Sequence, residues 1–127
     1  QSTFDGSRAY ARTKRALVTL TEMWAEQLKG SGVVVHAMHP GWADTPGVAG
    51  SLPAFHAITR RFLRTAGEGA DTITWLAAAP EAAKVTGLFW LDREPHTTHV
   101  FPGTDPSPQE RQALQDGLAR LTSKETQ

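Results

Sequence analysis

From Arg8 to Lys29 the apolar residues Leu17, Leu20, Trp24 and Leu28 recur at steps of three and four, with Arg12, Arg15, Thr19, Glu22, Glu26 and Lys29 opposite them. That period predicts a long amphipathic helix, with Ser7 placed to cap it. Residues 1–7, small and polar with an Asp5-Gly6 turn signal, read as the loop that leads in. Gly30-Ser31-Gly32 ends the helix, because glycine supplies the left-handed conformation of a C-terminal cap. Val33 to Met38 is rich in β-branched residues and poor in polar alternation, which predicts a strand covered on both faces. It ends at His39-Pro40-Gly41, since proline cannot donate to a ladder.

Trp42 to Pro53, punctuated by Gly and Pro, reads as a long loop of the kind that binds ligands. A helix is expected from Ala54 to Thr65, with Phe55, Ile58, Phe62 and Leu63 on one side and Arg60, Arg61 and Arg64 toward water. Gly67 and Gly69 are read as breaking it, and a further helix from Ala70 to Ala79 stops at Pro80. Leu88 to Asp92 predicts a second strand, followed by an irregular, proline-rich stretch from Pro95 to Pro106. Ser107-Pro108-Gln109-Glu110 combines an N-cap serine, an N1 proline and an N3 glutamate, so the last helix starts at Pro108, with Leu114, Leu118 and Leu121 as its apolar stripe. Trp24, Trp75 and Trp90 fall at apolar positions and are expected in the core.

The composition narrows the chemistry. The 127 residues are enough for one compact domain and too few for two. Thirteen basic side chains balance thirteen acidic ones, so nothing draws the chain to nucleic acid, and membrane contact is not expected either. There is no cysteine, which removes disulfides, thiolate nucleophiles and sulfur-ligated metal and agrees with a cytoplasmic location. No apolar run approaches the ~20 residues that span a bilayer. His36-x-x-His39 and His96-x-x-His99 lack a carboxylate or cysteine at ligand spacing, so no metal is expected. The chain opens on Gln1, with Tyr10 already inside a helix, and is expected to begin partway through something larger.

Tyr10 and Lys14 lie one helical turn apart and continue the stripe of Leu17. A phenol ordinarily keeps its proton at neutral pH, whereas an ammonium beside it stabilises the phenolate, so such a pair can give a proton and take it back. The spacing alone also arises by chance with a buried aromatic and a solvated lysine. Its continuation along the chain is rarer: a glycine stop, a strand, and then Met38-His39-Pro40-Gly41-Trp42-Ala43-Asp44-Thr45-Pro46-Gly47-Val48.

With Phe4-Asp5-Gly6-Ser7-Arg8-Ala9-Tyr10-Ala11-Arg12-Thr13-Lys14-Arg15 and the Asp92-Arg93-Glu94-Pro95 stretch, this order resembles the short-chain dehydrogenase/reductase family, and most of all its retinol-dehydrogenase-like branch. The resemblance covers residues 4 to 100. It implies the C-terminal half of a Rossmann-type, doubly wound α/β sheet, two parallel strands with flanking helices, over residues 1–100, and a linker and helix over 101–127. It further implies a hydride exchange between NAD or NADP and an apolar alcohol or carbonyl. Tyr10 would be the acid and base, and Lys14 would hold the cofactor ribose. Pro40, Gly41, Trp42 and Thr45 would orient the nicotinamide, while Pro46, Val48, Phe55, Ile58 and Phe62 would meet the substrate. The family's glycine-rich phosphate turn and catalytic serine precede the tyrosine by more than the nine residues present here, so the isolated chain is expected to be inactive. The alternative is a non-catalytic interaction module derived from such an enzyme. Either way a homo-oligomer, or pairing with an N-terminal half, is expected.

Overall fold

The computed structural model of the chain describes residues 4–99, 101 and 103–123, so parts of the predicted leading loop and of the proline-rich stretch lie outside the described residues. Helix α1 runs from Gly6 to Gln27. Asp5, not Ser7, caps it, its carboxylate accepting the Arg8 N–H at 3.1 Å. The buried face also differs from the predicted one. Leu20, Met23 and Ala25 are covered, whereas Leu17 and Trp24 stand half in solvent. Thr19 and Thr21 are buried at no polar cost, because each hydroxyl donates to the carbonyl four residues back.

Strand β1 is only Ala37–Met38, followed by α2 (Pro46–Ser51), α3 (Pro53–Thr59), a 3-10 turn (Arg60–Phe62) and α4 (Ala66–Ala78). A second 3-10 turn (Ala82–Lys84) leads to β2 (Phe89–Leu91), β3 (Glu94–His96) and α5 (Pro108–Thr122). The predicted strand from Val33 is therefore shorter. Val35 is held by the Thr86 hydroxyl and the Gly87 N–H, and ladder bonding begins only at Ala37 N–H to Leu88 O, 3.1 Å. Val33 and Val34 are exposed, so the coverage on both faces expected for them is absent.

The expected parallel pair is present, Ala37 beside Phe89 and Met38 beside Trp90, and it makes the fold mixed α/β, consistent with a partial Rossmann-like sheet. A third strand, β3, joins the two that the sequence predicts. It pairs antiparallel to β2, placing Trp90 opposite Pro95, and the sheet order is β1-β2-β3. The two-residue connection, Asp92-Arg93, has φ of 53° and 62°, the double left-handed turn that joins twisted hairpin strands. Non-glycine residues there cost energy. Both are tethered: Asp92 to Arg64, and Arg93 to Asp71 and, through its N–H, to the Thr72 hydroxyl.

The helix edges obey their caps. Thr65 and Glu68 form a reciprocal capping box, so α4 starts at Ala66 and takes in Gly67 and Gly69, rather than beginning after them at Ala70. Gly69 is buried because a Cβ there would come within 3.1 Å of Ala43 Cβ; bare backbone lets α4 close on the segment after β1. The predicted loop over 42–53 contains α2, and the helix expected from Ala54 ends at Thr59. Ser107 and Glu110 make the predicted box at α5.

The core is small: Leu20, Met23, Ala25, Ala43, Ala82 and Trp90. The accessible surface is 9722 Å². A compact monomer of this mass exposes about 6,600 Å². Much of what these elements would bury is therefore uncovered.

Candidate functional site

The i to i+4 spacing in α1 sets the ammonium of Lys14 over the Tyr10 ring, 5.5 Å from its centroid. Tyr10 is 66% exposed, so the phenol is open to a ligand. The same helix is anchored from its other side. Arg15 donates to the carbonyls of Thr98 (3.0 Å) and Thr104 (3.1 Å) and to His99 Nδ1 (2.7 Å). Since a guanidinium only donates, Nδ1 accepts, and His99 directs Nε2–H at Asp105, 2.8 Å away. Glu22 accepts from the Thr98 hydroxyl and from Arg111 of α5 at 2.8 Å. Through Arg15 and Glu22, α1 is thereby tied to the segment after β3 and to α5.

The second constellation comes after β1. Gly41 takes φ +73°, and its N–H donates to His39 Nδ1 at 2.9 Å. Arg64 crosses beneath: its N–H donates to Trp42 O (2.9 Å), its carbonyl accepts from Asp44 N–H (2.7 Å), and its guanidinium grips both oxygens of Asp92. The left-handed φ of Gly41 is why glycine belongs there, and a Cβ would also crowd the Arg64 guanidinium, 2.7 Å from Nη1. Thr45 caps α2 by accepting the Val48 N–H, with Pro46 at the first helical position. Trp42 stacks obliquely on Phe55, ring centroids 4.8 Å apart, and His56 bonds Asp44 at 2.7 Å. Ile58 and Phe62, predicted to share a face with Phe55, point outward instead, 79% and 88% exposed.

The structure thus brings Tyr10 to Lys14, Trp42 to Phe55, and Thr45 to Val48. Pro40 is joined to Arg64 and Gly69, groups that sequence reasoning does not connect to it. The helical pattern sets Arg64 among three solvated arginines, whereas the structure gives it a partner, Asp92, 28 residues away. A cavity of about 430 Å³ opens over Arg64, Gly67, Glu68, Asp71 and Asp92. One of about 180 Å³ separates α1 from the sheet, lined by Val18, Thr21, Ala37, Phe89 and His96. Neither is lined by Tyr10 or Lys14.

The Arg64 hydrogen bond holds the Asp92 carboxyl below the usual carboxylate range, and Arg93 does the same for Asp71. A carboxyl depressed in the folded state contributes its stability above its unfolded pKa of about 3.9 and loses it as pH falls through the folded value. Acidification below about pH 4 is therefore expected to loosen the hairpin, and Arg64→Ala to flatten that acid limb in urea titrations run at successive pH values.

His36 is committed to the fold. Trp90 Nε1–H donates to His36 Nδ1 at 3.1 Å, leaving Nε2–H for the Ala82 carbonyl, so both ring nitrogens are engaged. No group of three or more potential ligands occurs among the described residues, and no helix among them is long and apolar enough to cross a membrane.

On α1 an exposed phenol lies beside an ammonium, and after β1 the Thr45 hydroxyl accepts from Val48 N–H and keeps its own proton to donate. Within the turn, the Gly41 N–H and Trp42 carbonyl are already engaged, so the Gly41 carbonyl and Trp42 N–H remain for a ligand.

The chain is similar to the bovine (Bos taurus) dehydrogenase/reductase SDR family member 12, with 44% identity over 126 residues, 98% of this chain and 39% of that one. The human (Homo sapiens) member 12 is 44% identical over 93% of this chain and 37% of its own length. Human retinol dehydrogenase 14 is 31% identical over 72% of this chain and 29% of its own. The bovine match takes in α5, beyond the reach of the resemblance read from the sequence. The chain spans about two-fifths of the length of the two member 12 relatives. No family model matches it, and no solved structure gives a significant match.

Proposed function

Because the chain belongs to the short-chain dehydrogenase/reductase family, in its retinol-dehydrogenase-like branch, we propose that it carries the proton-transfer and nicotinamide-orienting part of an NAD- or NADP-dependent oxidoreductase acting on an apolar alcohol or carbonyl. The observation that carries this reading is the Lys14 ammonium over the exposed Tyr10 ring.

Tyr10 gives its proton to the carbonyl oxygen as the carbonyl is reduced, and takes a proton back when an alcohol is oxidised. Lys14 stabilises the phenolate left behind and holds the ribose hydroxyls. A bound nicotinamide cofactor supplies or receives the hydride. Pro40, Gly41 and Trp42 present backbone groups to its carboxamide, and Thr45 adds its hydroxyl. Trp42 and Phe55 form an apolar floor for the substrate, with Pro46 and Val48 following the turn; Ile58 and Phe62, which point outward, are left out of it. The 127 residues contain no glycine-rich phosphate-binding turn, so by themselves they bind a whole dinucleotide weakly and turn over negligibly. Amide resonances of this chain during titration with nicotinamide mononucleotide test the reading.

The uncovered surface favours a second role alongside the first. Leu17, Trp24, Val33 and Val34 are exposed, and burying them against a second copy or the remainder of the sheet recovers their hydrophobic free energy.

A further inference from the structure

Arg64 is fixed at both ends. It stands one residue before Thr65, whose capping box with Glu68 sets the start of α4, and its guanidinium lies fork to fork on the Asp92 carboxylate, with Nη2 to Oδ2 at 2.7 Å. Between these anchors it meets each residue from Pro40 to Asp44. Nη1 reaches the Pro40 carbonyl at 3.5 Å and fills the space a Cβ on Gly41 would take. The Arg64 backbone forms an isolated parallel bridge with Ala43, donating to Trp42 O and accepting from Asp44 N–H. The ion pair is half-exposed, a setting in which such pairs add little stability. What a bidentate fork does supply is direction.

We propose that Arg64, clamped by Asp92, is a positioning residue for the nicotinamide: it holds the Gly41-Trp42 turn in one shape, with the Gly41 carbonyl and Trp42 N–H left for the carboxamide, before the ligand arrives. The inference rests on the oxidoreductase reading and adds to it a residue that acts only through the turn. A turn built on a left-handed glycine has many shapes open to it, and one that must be ordered on binding loses affinity by that ordering. The clamp removes the cost in advance. Asp92 is a firm anchor because it ends β2 in a hairpin turn that a second ion pair, Arg93 with Asp71, also tethers. Two pairs thus hold one hairpin, and of the two it is Arg64 with Asp92 that reaches the segment after β1.

The test is titration of the isotopically labelled 127-residue chain with nicotinamide mononucleotide, followed at the Gly41, Trp42 and Thr45 amides, for the native chain and four variants. Arg64→Gln and Asp92→Asn are each expected to weaken binding about five- to tenfold. The double variant should lose no more than either single one, because the two residues are halves of one clamp. Arg93→Gln frees the same hairpin from Asp71 but leaves the turn untouched, so it should bind like the native chain. Asp92→Asn keeps its shape, and matching circular dichroism spectra show that the variants fold. Native affinity in Arg64→Gln or Asp92→Asn overturns the inference, as do losses that add in the double variant. An equal loss in Arg93→Gln also overturns it, by making both pairs merely structural. A native chain without saturable shifts overturns the oxidoreductase reading and this inference together, whereas native binding that every variant shares overturns this inference alone.

Discussion

Tyr10→Phe, in a polypeptide joining these residues to a dinucleotide phosphate-binding segment, is expected to lower kcat for an apolar ketone about one hundred- to ten thousand-fold, the range a positioned proton donor contributes. Cofactor affinity should hardly change, because the ring that packs under Lys14 is retained and only the hydroxyl is lost. A fall in kcat and kcat/KM together marks an interaction made in the transition state. Steady-state rates with a separate cofactor titration check both halves. Unchanged turnover would remove Tyr10 from the chemistry, and loss of cofactor affinity alone would make it a binding residue.

Trp90→Ala should be the most destabilising single change, by about 3–5 kcal/mol. Trp90 is 6% exposed, faces Trp75 at 5.2 Å between ring centroids, and lies in the central strand of the sheet. It is the one large aromatic buried among the described residues. Its removal opens a cavity and also takes the donor from His36 Nδ1. Against the 5–15 kcal/mol typical of a folded domain, and with so much surface uncovered, little margin is left. The urea midpoint followed by far-ultraviolet circular dichroism should fall sharply. Trp90→Phe, which keeps a ring but not the donor, should lose less. Equal midpoints for native chain and Trp90→Ala would show that the core lies elsewhere.

The features legible in the sequence are those set by short-range geometry. The Ser107 and Glu110 box marks α5 because both partners lie within one turn, and the Tyr10 to Lys14 approach is a consequence of helical spacing. The third strand is hidden by its own residues. Pro95 argues against a ladder, and Asp92-Arg93 lacks the glycine that usually signals a left-handed hairpin turn. The groups that pin that turn, Arg64 and Asp71, are more than 20 residues distant in sequence, and no local pattern encodes such pairing. Ile58 and Phe62 leave their predicted face for a related reason: the α3 helix ends at Thr59 and gives way to a 3-10 turn, so the helical stripe drawn through Phe55 does not continue.

The central claim is that Tyr10 and Lys14 serve a nicotinamide held by the turn after β1. Two-dimensional NMR of the isotopically labelled chain titrated with nicotinamide mononucleotide tests it without requiring turnover. Saturable shifts are expected at Tyr10 and Lys14 together with Gly41, Trp42 and Thr45, at millimolar ligand, and whole NADH or NADPH should bind no tighter than about 10 μM. Shifts confined to the turn with the helix silent, or no saturable shifts at all, would contradict it.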